Sequence, residues 1–146
     1  MWYGEYQHTL DDKDRFILPA KFRARIKSSR KQKFFLTRGL DGCLFFFSQD
    51  VWQNLEEKLK GISFAKQQSR SFNRLYFSGA QEVDIDTQGR VAIPGYLKEF
   101  AQIKKEIVII GVADRVEIWD KLRWNDFYQQ NKVKFEEVAE NIFENQ

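Results

Sequence analysis

Cysteine, histidine, methionine and proline are scarce in this 146-residue chain, with one Cys, one His, one Met and two Pro. The single cysteine, Cys43, excludes an internal disulfide framework and fits a reducing compartment. There is no clustered His/Cys set with metal-ligand spacing, so no metal is expected. No apolar run approaches the roughly 20 residues needed to cross a bilayer. The first residues, Met1-Trp2-Tyr3-Gly4-Glu5, have neither the basic start nor the apolar stretch of a secretion signal. A cytoplasmic protein with no membrane partner is the expectation. A large excess of one charge is also missing, because the net charge is only +3.

What is present is aromatic. The length suits one domain or two small units sharing a core, and fourteen Phe and four Trp are available to fill it. Charge is unevenly placed. Between Lys13 and Arg38 lie Arg15, Lys21, Arg23, Arg25, Lys27, Arg30, Lys31 and Lys33, against the single acid Asp14. From Phe135 onward come Glu136, Glu137, Glu140 and Glu144 with no basic residue. Such polarity suits a chain whose one end faces a polyanion, and it equally suits two oppositely charged solvated faces.

The chain repeats itself. Laying residue 10 on residue 85 aligns Asp11 with Asp86, Arg15 with Arg90 and Pro19 with Pro94, and the positions between keep their apolar character. The only two prolines of the chain thus fall on equivalent positions. Phe22 and Arg23 fall on Leu97 and Lys98, and, after small slips, Asp41 falls on Asp114, Ser48 on Asp120 and Trp52 on Trp124.

Each half reads as strand, turn, strand, helix, strand, turn, strand, helix. Residues 5–10 and 81–85 look extended, and Arg15 to Leu18 and Arg90 to Ile93 are short returning strands. Leu18 and Ile93 precede proline, which disfavours helical geometry. Pro19 and Pro94 then mark strand-to-helix switches, each suited to the first helical position. Phe34 to Thr37 and Ile107 to Ile110 are apolar enough to be buried strands. Asp41-Gly42 is a strong hairpin turn and Asp114-Arg115 a weaker one. Ser48 and Asp120 are helix N-caps. Phe45-Phe46-Phe47 suits core on both faces of a strand or an oligomer surface; Trp52, Trp119 and Trp124 suit core.

This divides the chain into a first half-repeat at 5–60, a connecting helix within 61–80, a second half-repeat at 81–130 and an acidic amphipathic tail at 131–146. Phe135, Val138 and Ile142 form one stripe of that tail, to pack on its own domain or on a neighbouring subunit. The fold class is a β-rich α+β.

The phrases Asp11-Lys13-Arg15-Pro19 and Asp86-Gly89-Arg90-Pro94 resemble the duplicated Asp-x-x-x-Arg motif of the MraZ family of bacterial transcriptional regulators. Gly4-Glu5-Tyr6, Leu36 to Leu44 and Glu117-Ile118-Trp119 look like the same family's wording. The resemblance covers nearly the whole chain. It implies two pseudo-symmetric half-repeats wrapped into one AbrB-like swapped-hairpin (double-split) β-barrel with peripheral helices. It further implies ring-like homo-oligomers, nucleoid-associated, that bind double-stranded DNA at tandem promoter repeats of the division and cell-wall gene cluster, without cofactor, catalysis or small-molecule substrate. One departure stands out: Asp14 occupies the place where the motif has Gly, as at Gly89. Asp tolerates left-handed geometry better than most residues, so the turn is expected to survive. Its carboxylate, beside Arg15, is expected to soften phosphate affinity there.

The motif has a physical rationale. An Asp at a strand end accepts backbone N–H bonds, fixes the turn and orients the Arg through a charge-assisted contact. The guanidinium then projects toward phosphate or a guanine edge, and a two-stranded ribbon fits the major groove. The alternative is a salt bridge that only ties the hairpin. Arg15, with Lys13 and the basic helix beside it, is the first candidate for DNA contact, and Arg90 the second. Lys21, Arg23 and Arg25, with Lys27, are candidates for phosphate. Their counterparts Tyr96, Lys98, Phe100 and Gln102 have largely lost that charge, so DNA contact is assigned to the first half. Asp11, Asp86, Pro19 and Pro94 are read as structuring the turns.

Two other classes compete. An enzyme would need His8 with Cys43 as base and nucleophile, or Asp11 with Asp86 as a proton-sharing pair, which a strongly raised carboxyl pKa would reveal. No catalytic residue is assigned. An antitoxin-like protein-interaction module on the same scaffold would bind its partner with weak salt dependence, whereas DNA affinity falls steeply with salt.

Overall fold

Proline marks both strand-to-helix switches, and each helix begins one residue later than expected. In the computed structural model, which describes residues 1–26 and 33–145, Pro19 and Pro94 are the caps and not the first helical residues. Their ψ angles of 141° and 145° are extended. Each carbonyl opens its helix by accepting from two backbone N–H groups, Phe22 and Arg23 on Pro19, Leu97 and Lys98 on Pro94. A ring that lacks an N–H forfeits nothing at the end of a strand whose next partner would be a helix. Lys27, Arg30 and Lys31 of the basic stretch lie outside the described residues.

The order of elements is the anticipated one. The first half runs β1 (Trp2–Thr9), β2 (Arg15–Ile17), α1 (Ala20–Arg23), β3 (Phe34–Arg38), β4 (Leu44–Ser48) and α2 (Gln49–Lys60). After α3 (Gln67–Gly79) the pattern recurs as β5 (Gln81–Val83), β6 (Arg90–Ala92), α4 (Gly95–Phe100), β7 (Glu106–Ala113), β8 (Arg115–Asp120) and α5 (Lys121–Lys132), followed by α6 (Phe135–Glu144). Ser48 and Asp120 do cap α2 and α5, their side chains accepting from Val51 N at 3.5 Å and Arg123 N at 3.4 Å. Asp41 and Gly42 both take positive φ, 67° and 80°, as a tight hairpin turn demands. In the second half the turn sits one residue earlier than expected, at Ala113 and Asp114, with Ala113 at φ 62° and Val112 paired with Arg115.

The two halves interlock. Six strands form one antiparallel sheet in the order β1-β7-β8-β4-β3-β5, and β2 pairs with β6 in a separate two-stranded ribbon. The first strand of each half pairs with the third strand of the other, β1 on β7 and β5 on β3. The pairs β4·β8 and β2·β6 join equivalent strands, so a pseudo-two-fold passes through both. The α+β class is as read. The hydrogen-bonded strands fall into these two sets, without a closed ring of pairings among the described residues.

The sheet is buried on both faces. On one side, Phe16, Leu18, Phe22, Leu36, Phe46, Val91, Leu97, Ile107 and Ile109 fill the space between the sheet, the ribbon, α1 and α4. On the other, Phe45, Phe47, Trp52, Tyr76, Val108, Ile110 and Trp119 pack with the partly buried Val51, Leu55, Trp124 and Phe127 of α2 and α5. Alternation along β4 and β7 explains the split. The Phe45-Phe46-Phe47 run is therefore core on both faces. Each fully buried Phe, such as Phe16, Phe22 and Phe46, stabilises the fold by about 1.5–3 kcal/mol through burial. Trp2 was not anticipated as strand or core: it is buried against Phe22 and Phe46 and donates Nε1–H to the Phe22 carbonyl at 3.1 Å. The tail helix α6 buries none of its residues, and Phe135, Val138 and Ile142 remain exposed.

Candidate nucleic-acid interface

Each Asp-x-x-x-Arg turn is built the same way. Asp11 Oδ1 accepts from the backbone N–H of Lys13 and of Arg15, both at 2.9 Å, while Oδ2 accepts from Arg15 Nε at 2.7 Å. Asp86 Oδ1 accepts from Gln88 N at 2.9 Å and Arg90 N at 2.8 Å, and Oδ2 accepts from Arg90 Nε at 2.6 Å. Backbone bonds close both turns, Asp11 N to Arg15 O at 3.0 Å and Asp86 N to Arg90 O at 3.1 Å. One residue in each turn must be left-handed: Asp14 at φ 56° and Gly89 at φ 82°. The Asp substitution in the first motif leaves the turn intact, as anticipated.

These bonds hold both carboxyls below the ordinary aspartate range. The backbone N–H of Arg15 contributes most at Asp11, and that of Arg90 at Asp86, with the guanidinium and the Lys13 or Gln88 N–H adding to it. The shift is opposite to the raised value that a proton-sharing carboxylate pair requires. The thiol–imidazole alternative has no better footing. Cys43 is buried, donates Sγ–H to the Leu40 carbonyl at 3.1 Å, and burial pushes its thiol far upward, away from thiolate. Among the described residues no group of three His, Cys, Asp or Glu is placed to hold a metal.

The ribbon brings the two motifs together. Arg15 pairs with Ala92, Phe16 with Val91 and Ile17 with Arg90. Phe16 and Val91 are fully buried, so Arg15, Ile17, Arg90 and Ala92 share the opposite, outward face. Both arginine side chains are about a quarter to a third exposed, at 26% and 30%. The Asp contact engages Nε and leaves the two terminal amino groups of each guanidinium at the tip, the pair that makes bidentate contacts.

The halves also cross over at the turns. Leu18 N donates to Gly89 O at 2.8 Å, and Ile93 N donates to Asp14 O at 3.0 Å. Arg23 reaches across to the second turn: a Cβ at Gly89 would lie 2.7 Å from Arg23 Cζ, and Arg23 Nε donates to Leu18 O at 3.0 Å. Lys98 makes the reciprocal crossing and bonds Asp14 Oδ1 at 2.9 Å.

The basic helix therefore splits its charge. Lys13 is exposed at the first turn and Lys21 on α1, and Arg23 sits beside the ribbon. Arg25 does not join them. It lines a cavity of about 300 Å³ with Met1, Trp2, Asp50 and Asp114, beside the end of β1 opposite the motif turn. In the sequence Lys98 stands out only as the counterpart of Arg23, and that equivalence in the repeat is the one signal of their reciprocal crossing.

The family comparison follows the same duplication. The family model described as "MraZ protein, putative antitoxin-like" matches the chain twice, over residues 1–75 and again over 76–146. The chain belongs to the MraZ family. The break between the two matches falls inside α3, the helix that lies outside the repeat. The doubled Asp-x-x-x-Arg turn and its shared ribbon are thus features of a regulator-like MraZ protein built from two copies of the family unit. No helix among the described residues is long and apolar enough to cross a membrane.

Proposed function

We propose that this MraZ protein is a sequence-specific regulator of transcription that binds double-stranded DNA through the outward face of the β2·β6 ribbon. The observation that carries the reading is the placement of Arg15 and Arg90 on one face, each aimed by its own carboxylate through Nε. A two-stranded ribbon has the width to enter the major groove, where a bidentate guanidinium reads guanine O6 and N7. Arg23, Lys13 and Lys21 flank the ribbon as phosphate contacts, which position without specifying. In this reading the sheet and the ribbon are the two parts of one AbrB-like barrel, formed by half-repeats 5–60 and 81–130 and connected through 61–80. The targets are tandem repeats in the promoter of the division and cell-wall gene cluster. Subunits of a ring-like homo-oligomer engage successive repeats, so each later contact is intramolecular and gains affinity. The protein works in the cytoplasm at the nucleoid and needs no cofactor.

The test is fluorescence-anisotropy binding to the DNA upstream of the protein's own gene, at two salt concentrations, for the wild type, Arg15→Ala and Arg90→Ala. Selective, salt-sensitive binding that both substitutions abolish is the expected result. Selective binding that survives both would remove the ribbon from the interface. No selective binding by the wild type would end the regulator reading.

A second reading has an observation of its own. Phe127 and Tyr128 of α5 face Phe135, Val138, Ile142 and Phe143 of α6 across an apolar groove of about 720 Å³. A groove of that kind suits a protein partner, in keeping with the antitoxin-like description of the family. Binding that is insensitive to salt and lost on Phe135→Glu would favour it.

A further inference from the structure

The two crossings related by the pseudo-two-fold differ in charge. At one, the Arg23 guanidinium lies over the bare Cα of Gly89, its Nε bonded to the Leu18 carbonyl, and among the described residues it has no carboxylate partner. At the other, Lys98 stands where Arg23 stands and Asp14 where Gly89 stands, and their side chains form an ion pair at 2.9 Å. Both members of that pair are partly exposed, Lys98 at 29% and Asp14 at 40%, and they adjoin the same ribbon. The carbonyl of Asp14 is already committed to Ile93 N at 3.0 Å, so the turn holds the carboxylate in place by its backbone.

We propose that Asp14 sets the DNA affinity of the ribbon by sequestering Lys98, so that of the two crossings only the Arg23–Gly89 one presents a cation to phosphate. The inference rests on the DNA-binding reading given above and sharpens it. A lysine is a point charge on a flexible stem, and released from Asp14 it can reach a phosphate near the second helix. Paired with Asp14 it neutralises a carboxylate instead, and no counterion is released from DNA on its account. The interface is thereby lopsided. A symmetric ribbon would sit on the duplex equally well in either orientation, whereas this one anchors its backbone contact at the Gly89 turn.

The experiment measures affinity for a labelled duplex carrying the region upstream of the gene, across a series of salt concentrations. The variants are Asp14→Asn, Lys98→Met and the double substitution. Asn accepts left-handed geometry, so Asp14→Asn preserves the turn. Asp14→Gly, which copies the second repeat, is a second route to the same loss of charge should Asn disturb the fold. Asp14→Asn is expected to bind several-fold more tightly at low salt, and its log–log salt slope is expected to steepen by about 0.9 for each subunit engaged. Lys98→Met and the double variant are expected to keep the wild-type slope, because neither has a Lys98 to release.

The slope, more than the affinity, is decisive. If Lys98 already met phosphate in the wild type, Asp14→Asn would leave that slope unchanged and Lys98→Met would make it shallower. Either of those two results overturns the proposal while leaving DNA binding intact. A wild-type protein without salt-sensitive, selective binding overturns the regulator reading and this inference with it.

Discussion

The two Asp-x-x-x-Arg turns share a backbone but have diverged in what surrounds them. Their carboxylates accept the same three bonds, at distances that agree within 0.1 Å pair by pair. Around that constant frame, the first turn carries Asp12, Lys13 and Asp14, and the second carries Thr87, Gln88 and Gly89. The inner side of the ribbon is unequal too, with Phe16 from the first half against Val91 from the second. Bonds that shape the turn have been kept twice, whereas groups that face solvent or fill volume have been free to change. Constraint at this site is therefore on geometry first and on charge second.

The comparison breaks most readily from inside. Phe16→Ala is expected to cost about 3–5 kcal/mol, because a fully buried ring leaves a cavity under the ribbon. Val91→Ala, which removes much less volume at the facing position, should cost clearly less in the same urea titration. Equal losses would mean that the ribbon collapses around either vacancy.

The left-handed positions come next. Gly89→Ala is expected to lose about 1–2 kcal/mol from the φ of 82° alone, plus whatever displacing Arg23 adds. Asp14→Ala already has a side chain at this backbone angle and should shift the melting temperature much less. A larger loss at Asp14 would reverse the ranking.

The aspartates make a prediction in pH. Both folded-state pKa values lie below the unfolded value, so their stabilisation is present above the usual carboxylate range near about pH 4 and is lost as pH falls through the depressed folded values. Urea midpoints should decline more gently below that pH in Asp11→Asn or Asp86→Asn than in the wild type. The two variants should behave alike, and a difference between them would show that the frames are not equivalent.

The smallest effect tests a surface asymmetry. Lys33, just before β3, pairs with Glu82 of β5 at 3.5 Å, where the symmetry-related positions hold Glu106 and Gln7. Both side chains are about half exposed, so Glu82→Gln should change stability by less than about 0.5 kcal/mol.

Much of this was legible in the residues themselves. The repeat announced the order of elements, and Ser48, Asp120 and Asp41-Gly42 announced their own caps and turn, because each acts on a backbone within a few residues of itself. What depended on the other half was not legible. Trp2 to Gly4 belong to β1 because β7 offers eight residues to pair with, and nothing in a local window reports the length of a distant partner. The same reason hid the shared face of Arg15 and Arg90. Charge counting alone assigned DNA contact to the first half, yet Arg23 of that half lies on the turn of the second, and Arg25, two residues on, opens into a different cavity. Spacing along α1 was visible; the interlock that sends neighbouring side chains to opposite ends was not.

The cross-pairing of first and third strands also bears on ancestry. A lone half would leave its opening strand without a neighbour, since among the described residues β1 pairs only with β7 and β5 only with β3. Two identical halves meeting about a true dyad would restore every one of those pairings, which points to a homodimer as the forerunner of this fused chain. In such a dimer any substitution is made twice, once at each turn. Joining the copies end to end ended that obligation. The two positions could then differ, a carboxylate at 14 and a bare Cα at 89, as no symmetric dimer allows.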